Sequence, residues 1–169
     1  MKRGAKLLCL AALVGSLGTM QAAHAASVRP GRSTFSGGIL SQLNAVRRAH
    51  GLTMLQPSGS LAAAARSHSV EMVADGYFAH PSKNGSAFWR RVQSYYGGAS
   101  VGENLLWASP RVSARRAVAM WMASPEHRDN ILNPVWREIG IGVAHSASAP
   151  GWFRGQAVTV VTTDFGTRR

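Results

Sequence analysis

Side chains able to move protons or hold a cation are sparse in this sequence: six histidines and seven acids, against nineteen lysines and arginines. No two histidines fall at the spacing of a compact zinc motif such as H-E-x-x-H. The lone cysteine, Cys9, sits in an apolar N-terminal run and offers no nucleophile to a folded site. The densest chemistry is the run Ser124-Pro125-Glu126-His127, where a hydroxyl, a carboxylate and an imidazole follow one another. Ser124 suits a helix cap and Pro125 the first helical position. Glu126 then falls in the first turn, where an acid is favoured by the helix dipole alone, and that is its first reading. His68 lies on an apolar helix face and reads as a core histidine. His50 ends a helix, where a carbonyl partner is ordinary. His145 closes a strand and receives no role. Phe88, Trp89, Arg90, Arg91, Tyr95 and Tyr96 interleave rings and cations, a pattern that can stack bases or sugars. More often the rings are core and the arginines form the wet face. No serine or cysteine nucleophile with an oxyanion arrangement is recognisable.

The elements that must position these groups follow from periodicity. Ile39, Leu43, Val46 and His50 recur at helical spacing and Gly51 stops the run. Leu61, Ala65, His68 and Met72 share one face of a second helix, which Asp75-Gly76 ends with a glycine suited to a left-handed cap. A short helix is expected over Ser86 to Tyr96, and a strand or extended loop over Val101 to Trp107. Pro110 opens a further helix whose buried stripe is Ala114, Val118, Trp121 and Met122. Arg47, in the apolar half of the first helix, is expected to meet a buried carboxylate such as Glu71. The last third changes period: Ile139, Ile141 and Val143 alternate with Gly140, Gly142 and Ala144. Ala157 to Phe165 is rich in Val and Thr with a single charged residue, as suits a strand covered on both faces. The bridge from Ser146 to Gly155 reads as a hairpin loop. Helices first and covered strands last imply an α+β fold, a three-layer α-β-α sandwich.

The first 25 residues read as a signal peptide. Lys2, Arg3 and Lys6 precede an apolar run too short to span a bilayer, and Ala23-His24-Ala25 offers a cleavage site. Leu8 before Cys9 argues against lipid attachment. Cleavage after Ala25 removes those three cations and lowers the formal charge from +12 to +9. Residues 26–38 read as a flexible leader and 39–169 as the domain. The expected address is therefore secreted or periplasmic, with no transmembrane segment in the mature chain. A cationic exported protein favours anionic partners at the envelope, with no specific nucleic acid expected.

Several segments together resemble the CAP superfamily in its bacterial, SCP-like form. They are Leu43-Asn44-x-x-Arg47-x-x-x-Gly51-Leu52, Ala65-x-x-His68-Ser69-x-x-Met72, Phe78-x-His80 and Gly102-Glu103-Asn104. Then come Trp121-x-x-Ser124-Pro125-x-His127-Arg128-x-Asn130-Ile131-Leu132, Glu138-Ile139-Gly140-Ile141-Gly142 and Thr163-Asp164-Phe165-Gly166. Their order and spacing, over about 125 residues, carry the resemblance. It implies the same α-β-α sandwich, around a small antiparallel sheet, and a cleft of two histidines and two acids. By position His80 matches the first histidine, Glu103 the first glutamate and His127 the second histidine. Ser124 stands where the second glutamate belongs.

The resemblance thus implies a binding cleft of His80, Glu103, His127 and Ser124, and Glu126, beside His127, is the candidate to stand in for the missing acid. Two imidazoles and a carboxylate suit a divalent cation, zinc first, with a position open for water. Without metal, a His–Glu pair can serve as a general base, or can lock two loops together. His80, Glu103 and His127 are accordingly the candidates for catalysis as well as for metal. The expected function is a binding module at the cell envelope or outside the cell, with a lipid, glycan or protein ligand. The alternatives are a metal-assisted hydrolase of envelope peptide or glycan and, more weakly, polyanion binding through the basic face.

Overall fold

The computed structural model describes Arg29–Pro30 and residues 33–168. The signal-peptide reading of residues 1–25, the cleavage site and leader residues 26–28 and 31–32 lie outside the described residues. Strand β1 (Arg29–Pro30) precedes helix α1 (Ser33–Ala49). That helix begins six residues ahead of Ile39, so leader residues 33–38 are helical. Phe35 explains the extension: it lies one turn before Ile39 and packs on the same core cluster as Ile39 and Leu43. After β2 (Gln56–Pro57) comes α2 (Gly59–Asp75), ended by Gly76 at φ 66° as its sequence implies. Then follow α3 (Phe88–Tyr95), β3 (Ser100–Ala108), α4 (Ala114–Ala123) and α5 (Pro125–Leu132). Helix α4 starts later than Pro110, because the Ser113 hydroxyl caps it by accepting from the Arg116 N–H. β4 (Glu138–Ser146), a 3₁₀ turn (Gly151–Phe153) and β5 (Val158–Thr167) complete the chain.

The strands lie in the order β1-β4-β5-β3, each pair antiparallel. One pairing departs from the expected antiparallel sheet: β2 runs parallel to β4 over two residues. Alternation along the strands divides the core in two. Leu106, Ile139, Val143, Val161 and Phe165 pack with Ile39 and Leu43 of α1, Val118 and Trp121 of α4 and Ile131 of α5. Leu105, Ala144, Val158 and Val160 face the other way, onto Met72 and Val73 of α2. Leu61 and Ala64 of α2 continue that layer onto Val92 of α3. The result is the α-β-α sandwich, with α1, α4 and α5 on one side and α2 and α3 on the other.

Two glycines set the spacing of α2 on the sheet. A methyl group at Gly140 would overlap the backbone of Leu61 and Ala62, and one at Gly142 that of Ala65 and Arg66. The helix therefore lies directly on β4. Arg47 corrects a sequence expectation. It is fully buried yet meets no carboxylate among the described residues; its guanidinium donates to the carbonyls of Thr53 (2.9 Å), Ile131 (2.7 Å) and Asn133 (3.0 Å). These carbonyls belong to turns left open by helix ends, and the arginine ties them to α1.

Candidate functional site

Strand β3 builds the centre of the site. Alternation turns Glu103 toward the α2 and α3 side and its neighbour Asn104 toward α5. The Glu103 side chain is wholly buried. One of its oxygens accepts from His80 Nδ1 at 2.8 Å, and the other accepts from the Arg91 guanidinium. His80 comes from the loop after α2 and remains half-exposed, its ring tilted against Phe88. Arg91 comes from α3 and also donates to the His80 carbonyl (3.1 Å) and the Ser82 hydroxyl (3.0 Å). Glu103 and Arg91 together therefore fix the His80 loop.

Asn104 performs the matching task on the other side. Its side-chain amide donates to the His127 carbonyl at 3.0 Å. Asn130 of α5 donates to the Glu103 carbonyl (3.1 Å) and to Asn104 Oδ1 (3.0 Å), and Trp136 Nε1 donates to the Asn130 carbonyl (2.9 Å). Helix α5 is thereby stapled to β3. At its start the Ser124 hydroxyl makes no cap bond; it lies 2.8 Å from His127 Nδ1 instead. Burial pushes His127 below the ordinary histidine value, and the neighbouring His80 adds to that, while Glu126 opposes it. Two imidazoles thus stand within each other's field, each with Nδ1 engaged.

Directly across the β3–β5 pair from Glu103 sits Asp164. It is fully buried, and among the described residues neither of its carboxyl oxygens meets a hydrogen-bond donor. Burial first, and then the Glu103 charge, raise it well above the ordinary aspartate value, against the pull of Arg91. Burial thus favours the protonated form of Asp164, beside the buried Glu103–Arg91 pair.

The sequence-predicted residues divide as follows. His80 joins Glu103, His127 joins Ser124, and the two pairs approach from opposite layers. Glu126 is exposed and acts on His127 through charge alone. As the side chains stand, no three His, Cys, Asp or Glu groups among the described residues converge as a metal site. His68 is a core histidine, 2.9 Å from the Ala79 carbonyl and 3.2 Å from Glu71. His50 Nδ1 meets the Val46 carbonyl at 2.9 Å, and His145 meets the Thr159 hydroxyl at 2.8 Å. Sequence reasoning missed Arg91, Asp164 and the Asn104–Asn130 staple. The available signal for Asp164 was the one acid in a run of Val and Thr that suits a strand covered on both faces.

The profile of the cysteine-rich secretory protein family, CAP, matches residues 40–163. The chain belongs to the CAP family. This CAP domain is 34% identical over 117 residues to the uncharacterized protein YkwD of Bacillus subtilis, a match covering 69% of this chain and 45% of YkwD. It spans under half the length of the curated relatives it matches. Among solved structures it resembles an extracellular SCP-domain protein of Bacillus anthracis, with TM-score 0.63, 26% identity, and coverage of 79% of this chain and 41% of that one. An outer surface protein of Borrelia burgdorferi has TM-score 0.70 over 85% of this chain and 100% of its own. At 18% identity that likeness concerns the fold alone. The CAP domain shares with these the sandwich expected of it, and no helix among the described residues is long and apolar enough to cross a membrane.

Proposed function

We propose that the CAP domain is a binding module acting outside the cytoplasm, at the envelope or beyond it, whose cleft engages its ligand through the imidazoles of His80 and His127. The observation that carries this reading is the engagement of Glu103. A general base or a metal-ligating carboxylate must be reachable, whereas Glu103 is buried with one oxygen on His80 and the other on Arg91. Its place is behind the histidine, as the group that fixes the ring's tautomer and direction. Ser124 stands in the same relation to His127. The ring edges that remain, at Nε2, are the groups left to meet a ligand. The extracellular character of the similar Bacillus anthracis protein and the cationic composition support the address.

A divalent cation such as zinc suits two imidazoles backed by a carboxylate and a hydroxyl. His80 and His127 would hold it, with coordination completed by water or by the ligand's own donor atoms. Such an ion supplies Lewis acidity and a more acidic bound water.

The test pairs binding with turnover. Zinc is titrated by calorimetry at neutral pH into the wild type, His80→Ala, His127→Ala and Glu126→Gln, and the same proteins are incubated with purified envelope glycan and peptide. The expected result is about one equivalent of zinc bound by the wild type and Glu126→Gln, lost in both alanine variants, with no release of product. Zinc binding that ignores both histidines removes the metal from the reading. Product release that depends on His127 replaces the binding module with a hydrolase.

A further inference from the structure

Trp107 lies four residues beyond Glu103 on β3, roughly 13 Å along the strand, and beside the loop that joins β4 to β5. We propose that the CAP domain has a second ligand site here: a saccharide pocket between Trp107 and Trp152 that takes a pyranose bearing a carboxylate. A cavity of about 360 Å³ opens at this point, lined by Trp107, Gly151, Trp152, Arg154 and Gln156. Its size falls at the small end of ligand pockets, which run from about 300 to 1,000 Å³.

The lining fits that ligand group by group. Indole faces stack on the C–H face of a sugar ring, a contact that needs a flat aromatic surface open to solvent. Trp152 is 63% exposed, the most open large apolar side chain among the described residues. Trp107 is half-buried and supplies a wall, its ring set edge-on to Phe153 at 5.6 Å. The Gln156 amide can donate to one hydroxyl and accept from another. Arg154 offers the planar fork that matches a carboxylate. No hydrogen bond or ion pair engages that guanidinium among the described residues.

The display is built, not incidental. Gly151 (φ 58°) and Arg154 (φ 52°) both adopt the left-handed backbone, and Phe153 between them is buried as the anchor. Trp152 N–H donates to the Gly76 carbonyl at 2.8 Å, which ties the turn to the cap of α2. Gly155 N–H donates to the Ala149 carbonyl (2.8 Å) and Ala149 N–H to the Gln156 carbonyl (2.9 Å), closing the loop. At position 154 a glycine would be unstrained, yet the chain places an arginine there. A membrane surface is the less favoured occupant. It would meet a protruding ring, whereas here the second indole and the glutamine lie inside a concavity. None of the lining residues belongs to the His80–His127 cleft, so the two readings stand or fall separately.

Tryptophan fluorescence and calorimetry test this on the purified protein with two carboxylated probes. One is the tetrasaccharide alternating glucuronate with N-acetylglucosamine, the other an oligogalacturonate tetramer. Chitotetraose serves as the neutral control, and phosphatidylglycerol vesicles as the membrane control. The variants are Trp152→Ala, Trp152→Phe and Arg154→Asn, the last because asparagine tolerates the left-handed backbone, with His127→Ala as the cleft control. The expected result is saturable binding of at least one carboxylated probe. Trp152→Ala and Arg154→Asn each weaken it tenfold or more, Trp152→Phe weakens it less, and His127→Ala leaves it unchanged. Chitotetraose binds at least tenfold more weakly. Folding of each variant is checked by its circular dichroism and melting midpoint. The proposal is overturned if neither carboxylated probe binds, or if folded Trp152→Ala and Arg154→Asn bind as the wild type does. It is equally overturned if Trp152 governs vesicle binding while no saccharide binds.

Discussion

Glu103 and Asp164 face each other across paired strands, and Arg91 is the guanidinium that answers them. Burial and then the neighbouring Glu103 charge disfavour ionisation of Asp164, and Arg91 opposes them only in part. The consequence for stability has a definite sign. A folded-state value raised above the ordinary 3.8 means that the folded protein binds more protons than the unfolded chain above that pH. The contribution of Asp164 is therefore complete below its unfolded value and is lost as pH rises toward its folded value. Asp164→Asn keeps the shape and stays neutral at every pH. Urea midpoints of the two proteins should diverge as pH rises from about 4 to 8, the asparagine variant gaining on the wild type. His68 and His127, whose charged forms burial disfavours, cost the fold stability as pH falls below about 6.5, but they are common to both proteins and cancel in the difference. A gap that stays constant across the range would show Asp164 ionised and paired. His80, Glu103, His127 and Ser124 were legible before the structure only through a family resemblance, since their separations along the chain bring nothing together. Arg91 was not legible at all. A helix of alternating rings and cations places its arginines outward by default, and the partner that draws this one inward sits on a strand eight residues beyond the helix.

At the scale of elements, contact of α2 with β4 decides where the His80 loop begins, because that loop leaves from the cap of α2. Gly142 permits this contact, and Gly37, on the exposed side of α1, permits nothing comparable. The same substitution should therefore act in opposite directions. Gly142→Ala forces its methyl into the backbone of Ala65 and Arg66 and should destabilise by about 3 kcal/mol, the upper part of the usual overpacking range. Gly37→Ala meets no atom of the described residues within 4 Å, relieves the entropy of a helical glycine, and should stabilise by about 0.5–1 kcal/mol. Chemical denaturation with unchanged m-values checks both, and a neutral Gly142→Ala would mean that α2 can lift from the sheet. The long elements were legible because each repeats its pattern several times. Leu61, Ala65, His68 and Met72 mark α2, and the alternation from Ile139 to Ala144 marks β4. The two-residue strands β1 and β2 were not, since a pairing of that length has no period to read. The start of α1 was missed for a related reason: Gly37 and Gly38 weaken the local helical pattern, and only the burial of Phe35 against the core extends it. The turn that holds out Trp152 depends on Gly76, 76 residues earlier in the chain, and no local pattern reports that bond.

Over the whole molecule, charge is divided by burial. Arg91 pairs with Glu103 inside, burial disfavours the charge of Asp164, and Arg47 is absorbed by carbonyl groups. What remains outside is strongly one-sided: among the described residues ten basic side chains are exposed against three acidic ones, Asp75, Glu126 and Asp129. Such a surface attracts any polyanion without selecting one. That general attraction must be separated from recognition in the Trp107–Trp152 pocket, and salt separates them. Each phosphate neutralised on duplex DNA releases counterions and contributes about −0.9 to the slope of log affinity against log salt. A surface of dispersed arginines engages several phosphates together, whereas the pocket sets one guanidinium against one carboxylate. Between about 50 and 200 mM salt, two unrelated duplexes should bind equally and lose affinity with a steep slope. The carboxylated tetrasaccharide should show a slope near a single charge. Duplexes that differ in affinity would mean that bases are being read, which dispersed charge does not explain. A steep saccharide slope would mean that the exposed arginines hold the sugar from many sides, and the two indoles would then have no part in choosing it.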